Sequence, residues 1–256
     1  MDETGPKIET RGAVLVIALD RPARRNAVDH ATALAIEAAI DRFEADDSLR
    51  VAVITGSGGI FSAGSDLKAS AAGSPPARTP RRGWYGMIEG RPEKPVIAAV
   101  EGFALGGGCE LVLACDLVVA ARDARFGLPE VRRSLAPAAG GMLRLPSRLP
   151  ANIAMEMALT GDPLPAERLY QLGLVNRLCE PGTALETAVE LAERIAENPA
   201  LALRTVKRMV RRSLDMAEAG GWADQAEALA ALRASEDYRE GIQAFAEGRK
   251  PVWRNR

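Results

Sequence analysis

Three consecutive glycines, Gly106–Gly108, stand between two apolar runs, PVIAAVEG (95–102) and DLVVAA (116–121). Both runs are short and rich in β-branched or small residues, as buried strands are. The residues between them, GGGCELVLAC, allow one short helix at roughly 108–115, opened by residues without side chains. Glycine at such a junction lets one backbone approach another and takes φ/ψ values closed to other residues. VLVIALD (14–20) and VAVITG (51–56) read as two further strands. Between them, Ala, Leu, Ile and Phe recur at helical spacing over 29–45, with Asp29 a natural N-cap. Strands alternating with helices predict an α/β fold with crossover connections.

The stretch 103–130, FALGGGCELVLACDLVVAARDARFGLPE, also carries two carboxylates. Glu110 falls on the first turn of the predicted helix, and Glu130 comes twenty residues later (130 − 110). Free N–H groups at a helix start can stabilise a developing oxyanion. Two carboxylates in different environments can do acid–base chemistry beside it. Such a site acts on a carbonyl compound without metal or redox cofactor.

Other functional classes are disfavoured. The formal net charge of −1 supplies no basic field for nucleic acid or for a membrane surface. The apolar runs are too short and interrupted to span a bilayer. The N-terminal MDETGPKIETRG lacks a signal peptide's charged-then-apolar layout. Three cysteines, Cys109, Cys115 and Cys179, make no disulfide framework and no metal-ligand spacing. They fit a reducing compartment, so a cytoplasmic location is expected. His30, the only histidine, begins the first helix, and no Gly-x-Ser-x-Gly elbow is present. Both facts weigh against a nucleophilic hydrolase.

Residues 69–83, ASAAGSPPARTPRRG, have the composition of a mobile loop. Arg78, Arg81 and Arg82 there would either meet a phosphate or keep the loop solvated. After about residue 150 the pattern turns helical: 151–161, 165–173, 183–198, 199–217 and two helices within 222–248, with a strand-like 174–180 between. Gly173 suits a helix C-terminus and Pro199 a first turn. The chain divides into an α/β core, 1–195, and a helical C-terminal segment, 196–256.

Two glycine-containing segments follow strands, GSGGIFSAGSDLK (56–68) and EGFALGGGCE (101–110). Neither is a dinucleotide fingerprint: after Gly56 and Gly58 the third glycine would fall at Phe61, and no helix starts at once. Neither ends in the Gly-Lys-Ser/Thr of a phosphate loop. The remaining reading gives each segment one backbone N–H directed at a shared oxygen.

At this point the chain closely resembles the enoyl-CoA hydratase/isomerase (crotonase) superfamily. The resemblance runs through LDRPARRNAV (19–28), FSAGSDLK (61–68), KPVIAAVEGFALGGGCELVLACD (94–116), ARFGLPEV (124–131), PAAGGMLRLP (137–146), ALTGDPLPAERLYQLGLVNRL (158–178) and YREGIQAFAEGRKPVW (238–253). It implies a spiral of ββα units followed by helices that join copies into a homotrimer or a dimer of trimers. Ser65 and Gly107 match the family's oxyanion-hole amides, and Glu110 and Glu130 its two catalytic glutamates. The implied reaction is addition of water to a trans-2-enoyl-CoA. Double-bond isomerisation, a carnitinyl-CoA-type dehydration and non-catalytic acyl-CoA binding are the alternatives. Coenzyme A enters as part of the substrate, so no cofactor is implied. The segments 22–28 and 64–68 would line its crevice. Arg24, Ala63, Gly64, Asp66, Leu67, Lys68, Gly106, Ala138 and Phe245 are the substrate-binding candidates, with Arg25 a further phosphate partner.

Three departures from the family pattern bear on the site. Ala138 stands where the family's Pro-Gly-Ala-Gly-Gly frequently has glycine, and alanine lacks glycine's full backbone range. Gly248 stands where relatives often carry Lys. Arg132 and Arg133 follow Glu130 and, if turned inward, would lower its pKa; both are expected to face solvent or a subunit contact.

Overall fold

The computed structural model describes residues 5–218, 226–227, 229–230 and 233–252. In chain order the strands are β1 (Lys7–Arg11), β2 (Val14–Leu19), β3 (Val51–Gly56), β4 (Arg78–Thr79), β5 (Gly83–Trp84), β6 (Val96–Val100), β7 (Phe103–Leu105), β8 (Leu117–Ala121), β9 (Arg125–Gly127), β10 (Leu164–Pro165) and β11 (Arg177–Cys179). The helices are α1 (His30–Ala45), α2 (Leu67–Ala71), α3 (Gly107–Ala114), α4 (Gly141–Arg148), α5 (Ala151–Thr160), α6 (Ala166–Gln171), α7 (Ala184–Ala196) and α8 (Ala200–Glu218), then a C-terminal helix, Glu236–Glu247.

The main sheet has the order β1-β2-β3-β6-β8-β11. Only β1 is antiparallel, and every other neighbouring pair is parallel. Side chains alternate across it as a period of two requires. Leu15, Ile17, Ala52, Ile54, Ala98 and Val118 join one core with α1 and α3. Val14, Val16, Val51, Val53, Ile97 and Val119 join a second core with Ala184, Ala188 and Ala192 of α7. Helices on both faces explain why these strands read as nearly continuous apolar runs.

A smaller sheet, β10-β9-β7, continues from the first. The chain leaves β6 and bends at Gly102, whose φ is +57°. A Cβ there would lie 2.4 Å from the Gly59 carbonyl oxygen. It then forms β7, parallel to β9, while Ser62 bridges to Ala104 in parallel on the other side. Three successive turns are thus stacked: β3 to Ser62 to α2, β6 to β7 to α3, and β8 to β9 to a 3-10 turn at Pro129–Arg133. Each turn brings the start of its helical element to the same region.

Most predicted elements are present, including the Asp29 cap, whose Oδ1 accepts the Thr32 N–H at 2.8 Å. The α/β expectation holds. The polar edge strand β1 and the three-residue strands β7 and β9 carry too little periodicity to be read from sequence. The expected loop at 69–83 is instead the end of α2 followed by the β4–β5 hairpin. Its arginines meet carboxylates of the chain itself: Arg78 pairs with Glu89, and Arg81 and Arg82 with Asp41. Of the two helices expected within 222–248, Glu236–Glu247 is present, and the other falls largely outside the described residues.

Helix α8 is tied to the core by charge. Lys207 Nζ donates to Asp116 Oδ2 at 2.6 Å, and Arg211 to Asp116 Oδ1 at 2.8 Å. The C-terminal helix ends at Gly248 with φ +70°. That left-handed C-terminal position favours glycine over lysine.

Asn26 joins the segment after β2 to the loop after β3. Its Oδ1 accepts the Arg21 N–H at 2.9 Å, and its Nδ2 donates to Ser57 O at 2.8 Å and Ile60 O at 2.7 Å. It is buried at φ +52°. Each buried group left unpaired costs about 1–3 kcal/mol. Asn26→Ala should therefore destabilise the chain by roughly 3 kcal/mol. Denaturant unfolding would register this as a lower midpoint with unchanged slope.

Candidate active site

The 25–28 and 63–66 segments are zipped together. Ala63 N–H donates to Arg25 O at 3.0 Å, Val28 N–H to Gly64 O at 2.8 Å and Asp66 N–H to Val28 O at 3.0 Å. In this parallel bridge the residues flanking Ser65 bond to Val28, so Ser65's own N–H points away from it. Gly64 beside it has φ +89°, and a Cβ there would lie 2.6 Å from Gly107 N. The two loops therefore meet backbone to backbone.

Gly107 is the first residue of α3, and Gly106 precedes it at φ +55° and ψ −128°. The helix's first backbone bond runs from Glu110 N–H to Gly106 O at 3.1 Å, so the Gly107 N–H lies ahead of the helical ladder. Among the described hydrogen bonds, neither Ser65 N–H nor Gly107 N–H has an acceptor. Two unspent amides on adjoining loops can hold an oxygen that gains negative charge. Gly106 N–H is committed to Gly127 O at 2.9 Å, so Gly106 shapes the turn rather than donating.

Glu110 is 2% exposed. Its Oε1 accepts the Ala139 N–H at 2.7 Å and the Gly141 N–H at 2.8 Å, at the start of α4. Burial pushes the Glu110 carboxyl up, while these two amides pull in the opposite direction. Glu130 sits in the 3-10 turn after β9, with Oε1 3.3 Å from where a Gly106 Cβ would be. Its Oε2 is buried and, among the described residues, has no hydrogen-bond partner. Burial raises the Glu130 carboxyl and the Glu110 charge raises it further, while a hydrogen bond from its own backbone N–H and, less strongly, Arg133 oppose them. With two donors on Glu110 and an unanswered oxygen on Glu130, the first proton taken by the pair belongs on Glu130.

The structure also locates the remaining candidates. Arg24, Arg25 and Lys68 are all exposed, Arg25 within the zipped segments and Arg24 and Lys68 just outside them. Asp66, 7% exposed, caps α2 through the Ala69 N–H at 3.0 Å and pairs with Arg21 at 3.2 Å. Its carboxylate thus holds the loop, and Leu67 begins the helix that it caps. Neither Ala138 nor Ala139 is in the left-handed region; that conformation falls to Gly140, at φ +88°. The alanines therefore leave the 137–141 turn intact. Arg132 turns outward to Asp162, as expected. Arg133 departs from expectation: it is half-buried, its guanidinium 4.6 Å from the centre of the Phe245 ring. The C-terminal helix packs closely enough here that a Cβ at Gly241 would lie 1.9 Å from Arg133 O. His30 Nδ1 lies 3.0 Å from the Pro76 carbonyl oxygen.

Sequence reasoning missed two groups. The donors to Glu110 come from a turn 29 residues away, and only the PAAGG segment hinted at them. Tyr85 had no signal at all. It is 2% exposed, and its Oη lies 2.6 Å from Ser65 Oγ.

The chain is similar along nearly its whole length to proteins of one family. The model of the family described as "Enoyl-CoA hydratase/isomerase" matches residues 9–256. The carnitinyl-CoA dehydratase of Salmonella typhi is 43% identical over 252 residues, covering 96% of each chain. The structure of a carnitinyl-CoA hydratase from Mycobacterium avium is 41% identical, covers 100% of both chains and superposes with a TM-score of 0.94. That of an enoyl-CoA hydratase from Mycobacterium tuberculosis H37Rv is 49% identical, covers 98% of this chain and 99% of its own, and has a TM-score of 0.80.

The buried pair makes stability depend on pH. Both carboxyls bind protons more tightly folded than unfolded. Between the ordinary carboxylate range and the raised range the native state holds more protons, so stability falls as pH rises through that window. Glu130→Gln keeps the shape and removes one titration. Its Tm should exceed the native value at about pH 8, with the gap closing towards about pH 5. Each kcal/mol regained corresponds to about 2–4 °C for a chain of this size. Equal melting curves at the higher pH would contradict the assigned burial cost.

Proposed function

The chain belongs to the enoyl-CoA hydratase/isomerase (crotonase) family, and on that premise we propose that it is an enoyl-CoA hydratase, adding water reversibly to a trans-2-enoyl-CoA to give the 3-hydroxyacyl-CoA. The observation that carries this reading is the asymmetric carboxyl pair beside two unspent amides. Glu110 is stabilised as a carboxylate by two N–H groups, while Glu130 Oε2 has no hydrogen-bond partner among the described residues.

Ser65 N–H and Gly107 N–H would hold the thioester oxygen and make C3 electrophilic. Glu110 takes a proton from water as its oxygen bonds to C3, and Glu130 delivers its proton to C2. Charge on the thioester oxygen is greatest in the enolate-like transition state, where the two amides act most strongly. After addition Glu110 holds the proton that water lost and Glu130 is ionised. Passing that proton from Glu110 to Glu130 restores the starting state. The reverse sequence removes water from a 3-hydroxyacyl-CoA. Arg24, Arg25 and Lys68 would meet the coenzyme A phosphates, and Ala63, Gly64 and Ala138 would line the path to the amides.

A second reading, dehydration of a carnitinyl-CoA, draws on the similarity to carnitinyl-CoA dehydratases. Its acyl group carries a quaternary ammonium, which a simple enoyl chain lacks. Loss of the enoyl-thioester absorbance with crotonyl-CoA, run beside carnitinyl-CoA, separates the two. Absence of turnover across short, medium and branched enoyl-CoAs would sink the hydratase reading, and coenzyme A binding without turnover would favour a binding protein.

Glu110→Gln and Glu130→Gln should each lower kcat on the order of 100- to 10,000-fold. An isomerase that shuttles its proton through Glu130 alone would leave Glu110→Gln mild.

Leu201, Val206, Met209 and Val210 of α8 are exposed, and their burial against neighbouring copies accords with a homotrimer or a dimer of trimers. Light scattering at micromolar concentration should give one of those masses, and a monomer would contradict this assembly. Three free cysteines accord with the cytoplasm. Among the described residues, no helix is long and apolar enough to cross a membrane.

A further inference from the structure

Tyr85 stands in the middle of the constellation without a role in the chemistry above. Its Oη lies 2.6 Å from Ser65 Oγ. On the other side, the position a Gly107 Cβ would take is 1.9 Å from the same oxygen. The hydroxyl therefore touches both loops that carry the oxyanion amides, and Gly107 must be glycine to admit it. Both catalytic-site carboxylates also act on it electrostatically.

The backbone holds this residue at some cost. Tyr85 has φ +53°, a region that a bulky side chain occupies rarely and under strain. Gly86 follows at φ +72°, so close to α1 that a Cβ would lie 2.2 Å from Ala33 O. Tyr85 N–H donates to Ala77 O at 2.8 Å. The β4–β5 hairpin is fastened to Glu37 of α1 through Thr79 Oγ1 at 2.5 Å and Arg82 N–H at 3.1 Å. The ring is thus aimed at Gly107 by a packed support.

Proton counting shows what the hydroxyl has to spare. Ser65 Oγ and Tyr85 Oη carry two protons between them, and their mutual bond uses one. Among the described contacts neither oxygen has a second acceptor. Burial and the neighbouring carboxylates push the phenol well up, so it stays protonated. When Ser65 Oγ donates to Tyr85 Oη, the phenolic O–H is free beside the two amides.

We propose that Tyr85 is a third oxyanion donor, its phenolic O–H hydrogen-bonding the thioester oxygen alongside Ser65 N–H and Gly107 N–H. This rests on the acyl-CoA reading above. The test is Tyr85→Phe, which keeps the ring and removes only the hydroxyl. With crotonyl-CoA, kcat should fall on the order of 100-fold, the lower end of what losing one oxyanion donor costs, with little change in KM. The C=O stretch of bound butyryl-CoA, a thioester that cannot react, should move towards its value in free solution. Wild-type kcat in Tyr85→Phe, or an unmoved carbonyl band, would overturn the proposal, since a residue that only packs would alter neither. If the native protein turns over no enoyl-CoA, the hydratase reading fails, and the carbonyl shift still decides the role of Tyr85.

Discussion

Backbone meets backbone between the 62–64 and 106–108 segments, and the site depends on that contact. A Cβ at Gly64 would sit 2.6 Å from Gly107 N, and one at Gly108 would sit 2.4 Å from Ser62 O. Only residues without side chains allow two amides from different turns to approach one point. The contact is set by the sheets behind it. Ser62 bridges Ala104, and β7 pairs with β9, so three turns are held in register. That register brings Ser65, Gly107 and Glu130 to one region from separate elements.

Around that point, the two carboxyls are unequally solvated. Two carboxyls buried together cannot both ionise cheaply. The α4 amides fall on Glu110 alone, at 2.7 and 2.8 Å, and leave Glu130 Oε2 unanswered. The same low-polarity setting that makes this asymmetry strong makes an ionised pair costly to fold around. Arg133 lies near enough to lower the Glu130 carboxyl, yet burial outweighs it. Its guanidinium is instead spread over the Phe245 ring, 4.6 Å from the centre. That contact ties the C-terminal helix to the turn that carries Glu130.

Much of the site was legible in the residue string. The glycine run, the helix start at Gly107 and the first-turn position of Glu110 follow from local rules (strand length, helix spacing, and glycine where φ turns positive), whereas the placement of Glu130 after the short β9 does not. The main strands and α1 were readable for the same reason, since burial on both sheet faces leaves a continuous apolar signature. The hairpin within 69–83 was not readable. Its Pro, Ser and Arg composition describes a loop, and only Glu37, Asp41 and Glu89, distant in sequence, turn its arginines into ion pairs. Gly248 illustrates the limit of motif comparison: it is the left-handed end of a helix, a backbone requirement that outranks a side-chain match.

The sequence by itself determined the α/β class, the short helix at the glycine run and the position of Glu110 on its first turn. These properties depend on neighbours within a few positions, or on periodicity. The tertiary structure alone decided which carboxyl receives the α4 amides, that Asp66 is spent on its own loop, and that Tyr85 reaches Ser65 and Gly107. Each of those outcomes depends on the distance between groups tens of residues apart. Such distances are set by packing and sheet register, which no local pattern encodes.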